Sequence, residues 1–219
     1  MKIHLLNVAD THCENIGVGC GVDVDRVHQF FAYAADVLGV TLEAATIRGE
    51  LFRRDVVERA LEGLEPTRDD VVIFYYSGHG FRTETKQERW PYLAFQESHF
   101  DPVKGMAADA IFKTLQAKSP RLLIVLSDCC NSYMPDYAVD VATPTRDESA
   151  AQRARGNLER LLVKARGSII ATSSEPGEYA IGTPVGGLFT MALLRAAEEH
   201  IWKRQVATWE GIFRDGAVP

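Results

Sequence analysis

The strongest constraint on the fold is a set of short apolar segments that alternate with longer amphipathic ones. Val71 to Tyr76 and Leu122 to Leu126 are continuous apolar runs, which are typical of strands covered on both faces. Val22 to Leu38 instead has apolar side chains at helical spacing and stops before Gly39. This alternation predicts βαβ units, with a mostly parallel central sheet and helices on both faces. Further strands are predicted at Lys2 to Val8, Leu42 to Ile47 and Ser168 to Thr172, and further helices at Leu51 to Leu64, Met106 to Lys118 and Leu188 to His200.

Composition limits the class of protein and its partners. A chain of 219 residues that is 46% hydrophobic and 25% charged is expected to be a single globular domain, of the α/β class that the alternation indicates, rather than a disordered chain or a membrane bundle. The net charge of -6 disfavours nucleic acid and anionic membranes as partners. Four cysteines without a CxxC pair, and an N-terminus without a signal-peptide apolar stretch, predict a reducing, cytoplasmic location.

Chemically active residues follow two of the predicted strands. Ser-Gly-His-Gly begins at Ser77, and Ser-Asp-Cys-Cys-Asn-Ser begins at Ser127. Ligands of parallel sheets bind beyond the carboxyl ends of strands, and glycines beside His79 would let the backbone turn sharply there. A histidine and a cysteine at neighbouring strand ends are the components of a thiol nucleophile with its base. Taken singly, His79 could be a turn residue, and the cysteine pair could be packing or a metal site.

These two motifs carry a family resemblance. Tyr76-Ser77-Gly78-His79-Gly80 and Asp128-Cys129-Cys130-Asn131-Ser132 resemble the His and Cys motifs of the caspase-like cysteine peptidases (peptidase C14), especially the bacterial metacaspases and orthocaspases. The resemblance covers roughly residues 2 to 200. It implies a cysteine protease with the caspase-like three-layer sandwich. Three further segments match the family in their order and spacing along the chain. They are Gly19-Cys20 with Asp23, Ser168 to Ser174, and Gly186-Gly187-Leu188-Phe189-Thr190.

The resemblance also implies roles for single residues. Cys130 would be the nucleophile, His79 the general base and then the acid, and the amides of Gly78 and Cys130 the oxyanion hole. Neighbouring residues at a strand end point in opposite directions, so we expect Cys129 to pack behind the site. The substrate would be a protein or peptide.

Substrate preference follows from four positions that match the metacaspase primary pocket: Cys20, Asp23, Ser77 and Asp128. Two carboxylates in a partly desolvated slot would bind a guanidinium and repel a carboxylate. We therefore expect cleavage after Arg more than Lys. The alternative for Asp23 is a carboxylate that only stabilises the first turn of its helix.

By analogy with the family, the single domain would comprise a large-subunit-like region (1–130), a variable linker (131–167) that is a candidate for cleavage, and a small-subunit-like region (168–219). The linker is expected to be exposed, and the alternative for its charged part is a solvated helix with no role in cleavage. Little chain follows the late helix, so the last strand of the family sheet is expected to be missing, and the chain could be a fragment. The candidate processing sites, cut by the enzyme itself or by an activating protease, are Arg146, Arg153, Arg155, Arg160, Lys164 and Arg166.

The sequence lacks a clustered set of oxygen ligands for a hard cation. Many metacaspases use calcium, but this chain has Thr83 to Lys86 and scattered Asp101 and Asp109 in the corresponding stretch, so no metal or other cofactor is predicted and calcium is not favoured. One alternative is a catalytically silent module that binds a partner, such as a regulatory protein, through the same cleft. Another is a zinc protein that uses Cys129, Cys130 and His79. By analogy, the biological role would be regulated proteolysis, cell death or anti-phage defence.

Overall fold

The computed structural model describes residues 1–82, 89–96, 101, 103–130 and 148–217, with Cys130 and Glu148 described in their backbone only. A 3-10 turn at Gly49–Leu51 and a π-helical turn at Glu159–Lys164 accompany the main elements. The strands are β1 (Lys2–Ala9), β2 (Thr41–Ile47), β3 (Val71–Phe81), β4 (Tyr92–Leu93), β5 (Met106–Ala107), β6 (Leu122–Cys130), β7 (Gly167–Thr172), β8 (Gly182–Thr183) and β9 (Gly186–Gly187). The helices are α1 (Gly17–Leu38), α2 (Arg54–Gly63), α3 (Ala108–Ala117), α4 (Glu148–Leu158), α5 (Leu188–Trp202) and α6 (Trp209–Asp215).

The predicted α/β sandwich is confirmed. Parallel strands form the centre of the sheet in the order β2-β1-β3-β6-β7, and β4 and β5 extend the end of β3 in antiparallel fashion. One apolar cluster packs α1, α4, α5 and α6 against one face of the sheet, and a second packs α2 and α3 against the other. The apolar runs of β1, β3 and β6 are buried because helices cover them on both faces.

The turn predicted at His79 is wrong, because β3 continues through the whole motif to Phe81. Neither Gly78 nor Gly80 has a positive φ. Close packing explains these glycines instead. A Cβ at Gly80 would lie 2.6 Å from the Cys129 sulfur, and one at Gly78 would lie 2.7 Å from the Tyr76 hydroxyl. The two strands can therefore extend side by side beyond the apolar runs that predicted them.

The expectation of an exposed, linker-like segment is wrong for residues 149–164. Ala154, Leu158, Leu161 and Leu162 are buried in the cluster that contains α1 and α5. Asn157 fixes the same segment, because its side-chain amide donates to three carbonyls around the end of α5 and its oxygen accepts from the Ala207 amide. The many charged residues occupy the outer face, where they conceal this apolar stripe in the sequence.

Helix α1 brings part of the site to the sheet. It begins at Gly17, five residues before the predicted start at Val22, so Cys20 and Asp23 lie in its first two turns. Its N-terminus approaches the backbone closely: a Cβ at Gly17 would lie 2.6 Å from the Thr11 carbonyl oxygen. Within the described part of the chain, no helix is long and apolar enough to cross a membrane.

The described residues after β7 add no strand to the central sheet. The segment contains the separate β8-β9 hairpin and then α5 and α6. β7 pairs with β6 alone among the described strands and forms one edge of the sheet. The hairpin places Gly186 beside Asp23 of α1, and Gly187 beside Asp128 at the carboxyl end of β6.

Candidate active site

The pairing of β3 with β6 brings the two motifs together. In the parallel register, Ser77 is the partner of Asp128, and His79 is the partner of Cys130. Because Cys130 is described in its backbone only, its position follows from this register. The predicted nucleophile and base therefore belong to adjacent strands at the same sheet edge.

A small pocket lies beside this pair and contains all four residues of the predicted primary pocket. The empty space between its lining residues is about 260 Å³, part of which is open to solvent. The lining comprises Ile16, Gly19, Cys20, Asp23, Ser77, Gly78, Asp128, Gly182, Thr183 and Gly187.

Asp23 is held at the bottom of this pocket by two donors from other elements. The Ser77 hydroxyl donates to its carboxylate at 2.9 Å, and the Gly187 amide lies 3.0 Å from each of its oxygens. Asp23 as a whole is 1% exposed. These contacts contradict the alternative of a carboxylate that serves only the first turn of its helix, because they connect α1 to β3 and to the β8-β9 hairpin.

Asp128 is held by the start of α5. Its carboxylate accepts a bond of 3.1 Å from the Thr190 amide and one of 2.7 Å from the Thr190 hydroxyl. Because that hydroxyl donates its proton to Asp128, the Tyr75 hydroxyl at 2.6 Å is its donor. A Cβ at Gly187 would overlap the Asp128 carboxylate, so a glycine is required at this close approach.

Burial disfavours the ionised forms of Asp23 and Asp128. Desolvation raises the pKa of Asp23 to about 8, and the negative charge of Asp128 acts in the same direction. Desolvation also raises the pKa of Asp128, against the bonds from Thr190. An incoming cation would relieve both effects, so the pocket is electrostatically suited to a positively charged side chain.

The thiol of Cys20 is unsuited to nucleophilic work. Burial raises its pKa, and the charges of Asp23 and Asp128 raise it further. Since the thiolate is the reactive form, Cys20 remains an unreactive thiol in the pocket wall.

His79 has the properties of a base. Burial lowers the pKa of its imidazole, and the charge of Asp10 offsets part of this effect. The ring is therefore neutral near pH 7 and can accept a proton. Its Nε2 lies 3.2 Å from the sulfur of Cys13, a neighbour that sequence reasoning missed. The pairing of β1 with β3 explains this contact. Ala9, at the end of β1, is the register partner of Ser77, so the loop that follows β1 lies near the His motif.

Comparison with known proteins now assigns the family. The family model of the caspase domain, Peptidase_C14, matches residues 15–214. The chain belongs to this family of cysteine peptidases. A similar solved structure is protein GSU0716 from Geobacter sulfurreducens, with a TM-score of 0.54, 17% identity, and coverage of 98% of this chain and 87% of that one. At that identity the likeness concerns the fold alone. A search of curated protein sequences found no match.

Within this caspase domain, Cys129 packs away from the site as expected. It is 1% exposed and belongs to the apolar cluster formed with α2 and α3. Its amide donates to the Ser173 hydroxyl at 3.1 Å. This burial contradicts the alternative of a zinc site made from Cys129, Cys130 and His79.

Most of the candidate processing residues lie on regular structure. Arg153 and Arg155 are in α4, Arg160 and Lys164 are in the π-helical turn, and Arg166 is in the short connection to β7. Arg153 donates to the Trp202 carbonyl, and Arg155 pairs with Glu159 at 3.2 Å. Packed helices are poor sites of proteolysis compared with exposed loops. Arg146 lies outside the described residues.

The stretch that corresponds to the calcium site of many metacaspases is only partly described. Thr83 to Lys86 lie outside the described residues. Asp109 pairs with Lys113 at 2.7 Å, and Asp101 accepts a bond from the Val103 amide at 2.9 Å. Both carboxylates thus have local partners, and independence from calcium stays a prediction.

The pocket carboxylates predict how stability depends on pH. Because folding raises the pKa of Asp23 from 3.8 to about 8, the folded state binds more protons than the unfolded state between these values. Stability therefore falls as pH rises through this window, by up to about 1.4 kcal/mol per pH unit for each proton. Urea unfolding between about pH 5 and about pH 8 should show a flatter pH dependence for Asp23→Asn than for the wild type.

Asp25→Asn is the matched control, since Asp25 is an exposed carboxylate on the same helix that pairs with Arg48. It should keep the wild-type slope. The slope, rather than the absolute stability, is the readout, because Asn also changes the bonds to Ser77 and Gly187. Equal slopes for Asp23→Asn and the wild type would contradict the proposed pKa shift.

Proposed function

We propose that this caspase domain is an endopeptidase that cleaves after basic residues, Arg more than Lys, with Cys130 as nucleophile and His79 as base. One observation carries the proposal: Asp23 and Asp128 are buried in one pocket beside the paired positions of His79 and Cys130. The regulated role in cell death or anti-phage defence and the cytoplasmic location rest on analogy and on composition, respectively.

The proposed reaction begins when His79 takes the thiol proton of Cys130. The thiolate attacks the carbonyl carbon of the substrate, and the amides of Gly78 and Cys130 stabilise the oxyanion. The tetrahedral intermediate collapses to a thioester as His79 gives its proton to the leaving amine. His79 then removes a proton from water, which hydrolyses the thioester and returns the thiol. The neutral imidazole favoured by burial supports the first step.

The preference for Arg rests on charge and geometry. A guanidinium presents several donors in a planar fork and binds carboxylates in bidentate fashion, whereas an ammonium acts as a point charge. The oxygens of Asp23 are fixed by Ser77 and Gly187, and Oδ2 of Asp128 is fixed by Thr190. Burial and mutual repulsion already disfavour the ionised forms of Asp23 and Asp128, so an acidic side chain in the same pocket would add an unpaired negative charge, whereas a cation would let both acids ionise.

Peptides that differ only at the residue before the cut test this proposal. We expect turnover of the Arg peptide, slower turnover of the Lys peptide and none of the Asp peptide. Cys130→Ala should abolish the activity. His79→Ala should reduce it by at least about 100-fold, in line with the usual contribution of a general base. The measurement is kcat/KM from fluorogenic release, with and without calcium.

Cys129→Ala is the matched control, because it removes the neighbouring thiol on the opposite face of β6 and should retain turnover. Turnover of the Asp peptide without turnover of the Arg peptide would contradict the proposed specificity. Complete absence of Cys130-dependent turnover from the processed and unprocessed chain would favour the silent, partner-binding module.

We also propose that activating cleavage occurs at Arg146. The other candidates lie on the packed α4, on the π-helical turn or in the short connection to β7. In purified protein, intact mass spectrometry should find fragments that end at Arg146 in the wild type and only intact chain in Cys130→Ala and in Arg146→Ala. Cleavage of Cys130→Ala in the expression host would identify another protease, and fragments ending at Arg155 or Arg160 would contradict the assignment.

A further inference from the structure

Three metal-ligating side chains meet beside the proposed base, outside the pocket for the substrate side chain. The sulfur of Cys13 lies 3.2 Å from Nε2 of His79. One ligand atom from each of Asp10, Cys13 and His79 lies within 4.8 Å of the other two, and all three residues are half-buried. Among the described residues this is the group of His, Cys, Asp or Glu side chains whose spacing suits a metal ion.

The loop that carries Asp10 and Cys13 is held by its own bonds. The Asp10 amide donates to the Ser77 carbonyl at 3.0 Å, and the Asp10 carboxylate accepts from the Cys13 amide at 3.1 Å. The Thr11 hydroxyl accepts from the Gly49 amide at 3.0 Å. A carboxylate has two oxygens, so Asp10 can accept the amide with one and bind a cation with the other. The ligands are therefore arranged before a metal arrives.

The donor set identifies the kind of cation. An imidazole nitrogen, a thiolate sulfur and a carboxylate oxygen are ligands that Zn²⁺ accepts together, whereas Ca²⁺ and Mg²⁺ prefer oxygen alone. Zinc bond lengths of about 2.3 Å to sulfur and about 2.0 Å to nitrogen place tetrahedral ligands about 3.5 Å apart. The sulfur and nitrogen of Cys13 and His79, at 3.2 Å, need to separate by only a few tenths of an ångström.

We propose that Asp10, Cys13 and His79 form a binding site for Zn²⁺ or a similar thiophilic divalent cation. Cys13 binds as the thiolate and its proton passes to solvent. The three ligands leave the remaining coordination position to water. The bound cation occupies Nε2 of His79, and the neutral ring then carries its proton on Nδ1, so neither nitrogen can accept the thiol proton in the peptidase reaction. This inhibitory consequence rests on the proposed function, whereas the binding site itself does not.

Direct binding measurements test the site without any substrate. Metal-free protein is titrated with Zn²⁺ alone against a chromogenic chelator, and with Co²⁺ alone to record the sulfur-to-cobalt charge-transfer band. We expect one equivalent bound by the wild type. Mutation of a residue that only supports a metal ligand typically lowers metal affinity by about 10- to 100-fold, and loss of a ligand itself should lower it further. Cys13→Ser should therefore weaken zinc binding by roughly 100-fold or more. The same variant should lack the cobalt band. Asp10→Asn should weaken binding and keep the band.

Controls use a neighbouring histidine and the other thiols. His12→Asn alters the same loop, and Cys129→Ala removes a buried thiol from the opposite face of β6; both should bind zinc as the wild type does. Circular dichroism establishes that each variant is folded. Wild-type affinity in folded Cys13→Ser, or loss of binding in Cys130→Ala with retention in Cys13→Ser, would overturn the assignment.

Turnover measurements with and without Zn²⁺ distinguish failure of the metal-site proposal from failure of the proposed function. For each variant, the readout is the ratio of turnover with and without Zn²⁺, so a change in the basal rate cancels. Zinc should inhibit the wild type and lose its effect in Cys13→Ser at the same concentration. If no peptide is turned over, the proposed function fails while the binding measurements still decide the metal site.

Discussion

The parallel pairing of β3 with β6 is the interaction on which the rest of the site depends. It makes Ser77 the neighbour of Asp128 and His79 the neighbour of Cys130. A shift of one residue would reverse the faces of one strand and separate the motifs. The register is strongly specified, since apolar clusters cover both faces and the sulfur of Cys129 leaves no room for a side chain at Gly80. Packing of the apolar parts of the strands thus determines the chemistry at their ends.

Burial of two carboxylates is the main cost of this arrangement, and the surrounding donors offset part of it. Asp23 receives bonds from Ser77 and Gly187, and Asp128 receives bonds from Thr190. These bonds also join α1, the β8-β9 hairpin and the start of α5 to the edge of the sheet. The pocket that we propose for specificity is therefore also a connection between the region before residue 131 and the region after 167. A cation in the pocket would strengthen this connection by neutralising the repulsion.

Sequence patterns predicted the α/β fold because buried parallel strands and amphipathic helices have distinct periodicities. The pocket residues Cys20, Asp23, Ser77 and Asp128 were instead indicated by the family resemblance, and all four are among the residues that line the pocket. The extension of β3 through His79 escaped prediction, because glycines are read as turn residues unless the neighbour that they accommodate, here Cys129, is known. The packed face of residues 149–164 was hidden by arginines, and Cys13 by its distance in sequence from His79. Those features depend on tertiary contacts that no local pattern encodes.

The central claim is that Cys130 attacks substrates whose basic side chain occupies the pocket of Asp23 and Asp128. The most direct measurement is covalent trapping with two peptidyl ketones that carry a carboxylate leaving group and differ only in an Arg or an Asp beside the ketone. After peptide mapping by mass spectrometry, we predict one adduct, on Cys130, from the Arg reagent, and none from the Asp reagent. Labelling of Cys13 or Cys20 in place of Cys130, or reaction with the Asp reagent alone, would contradict it.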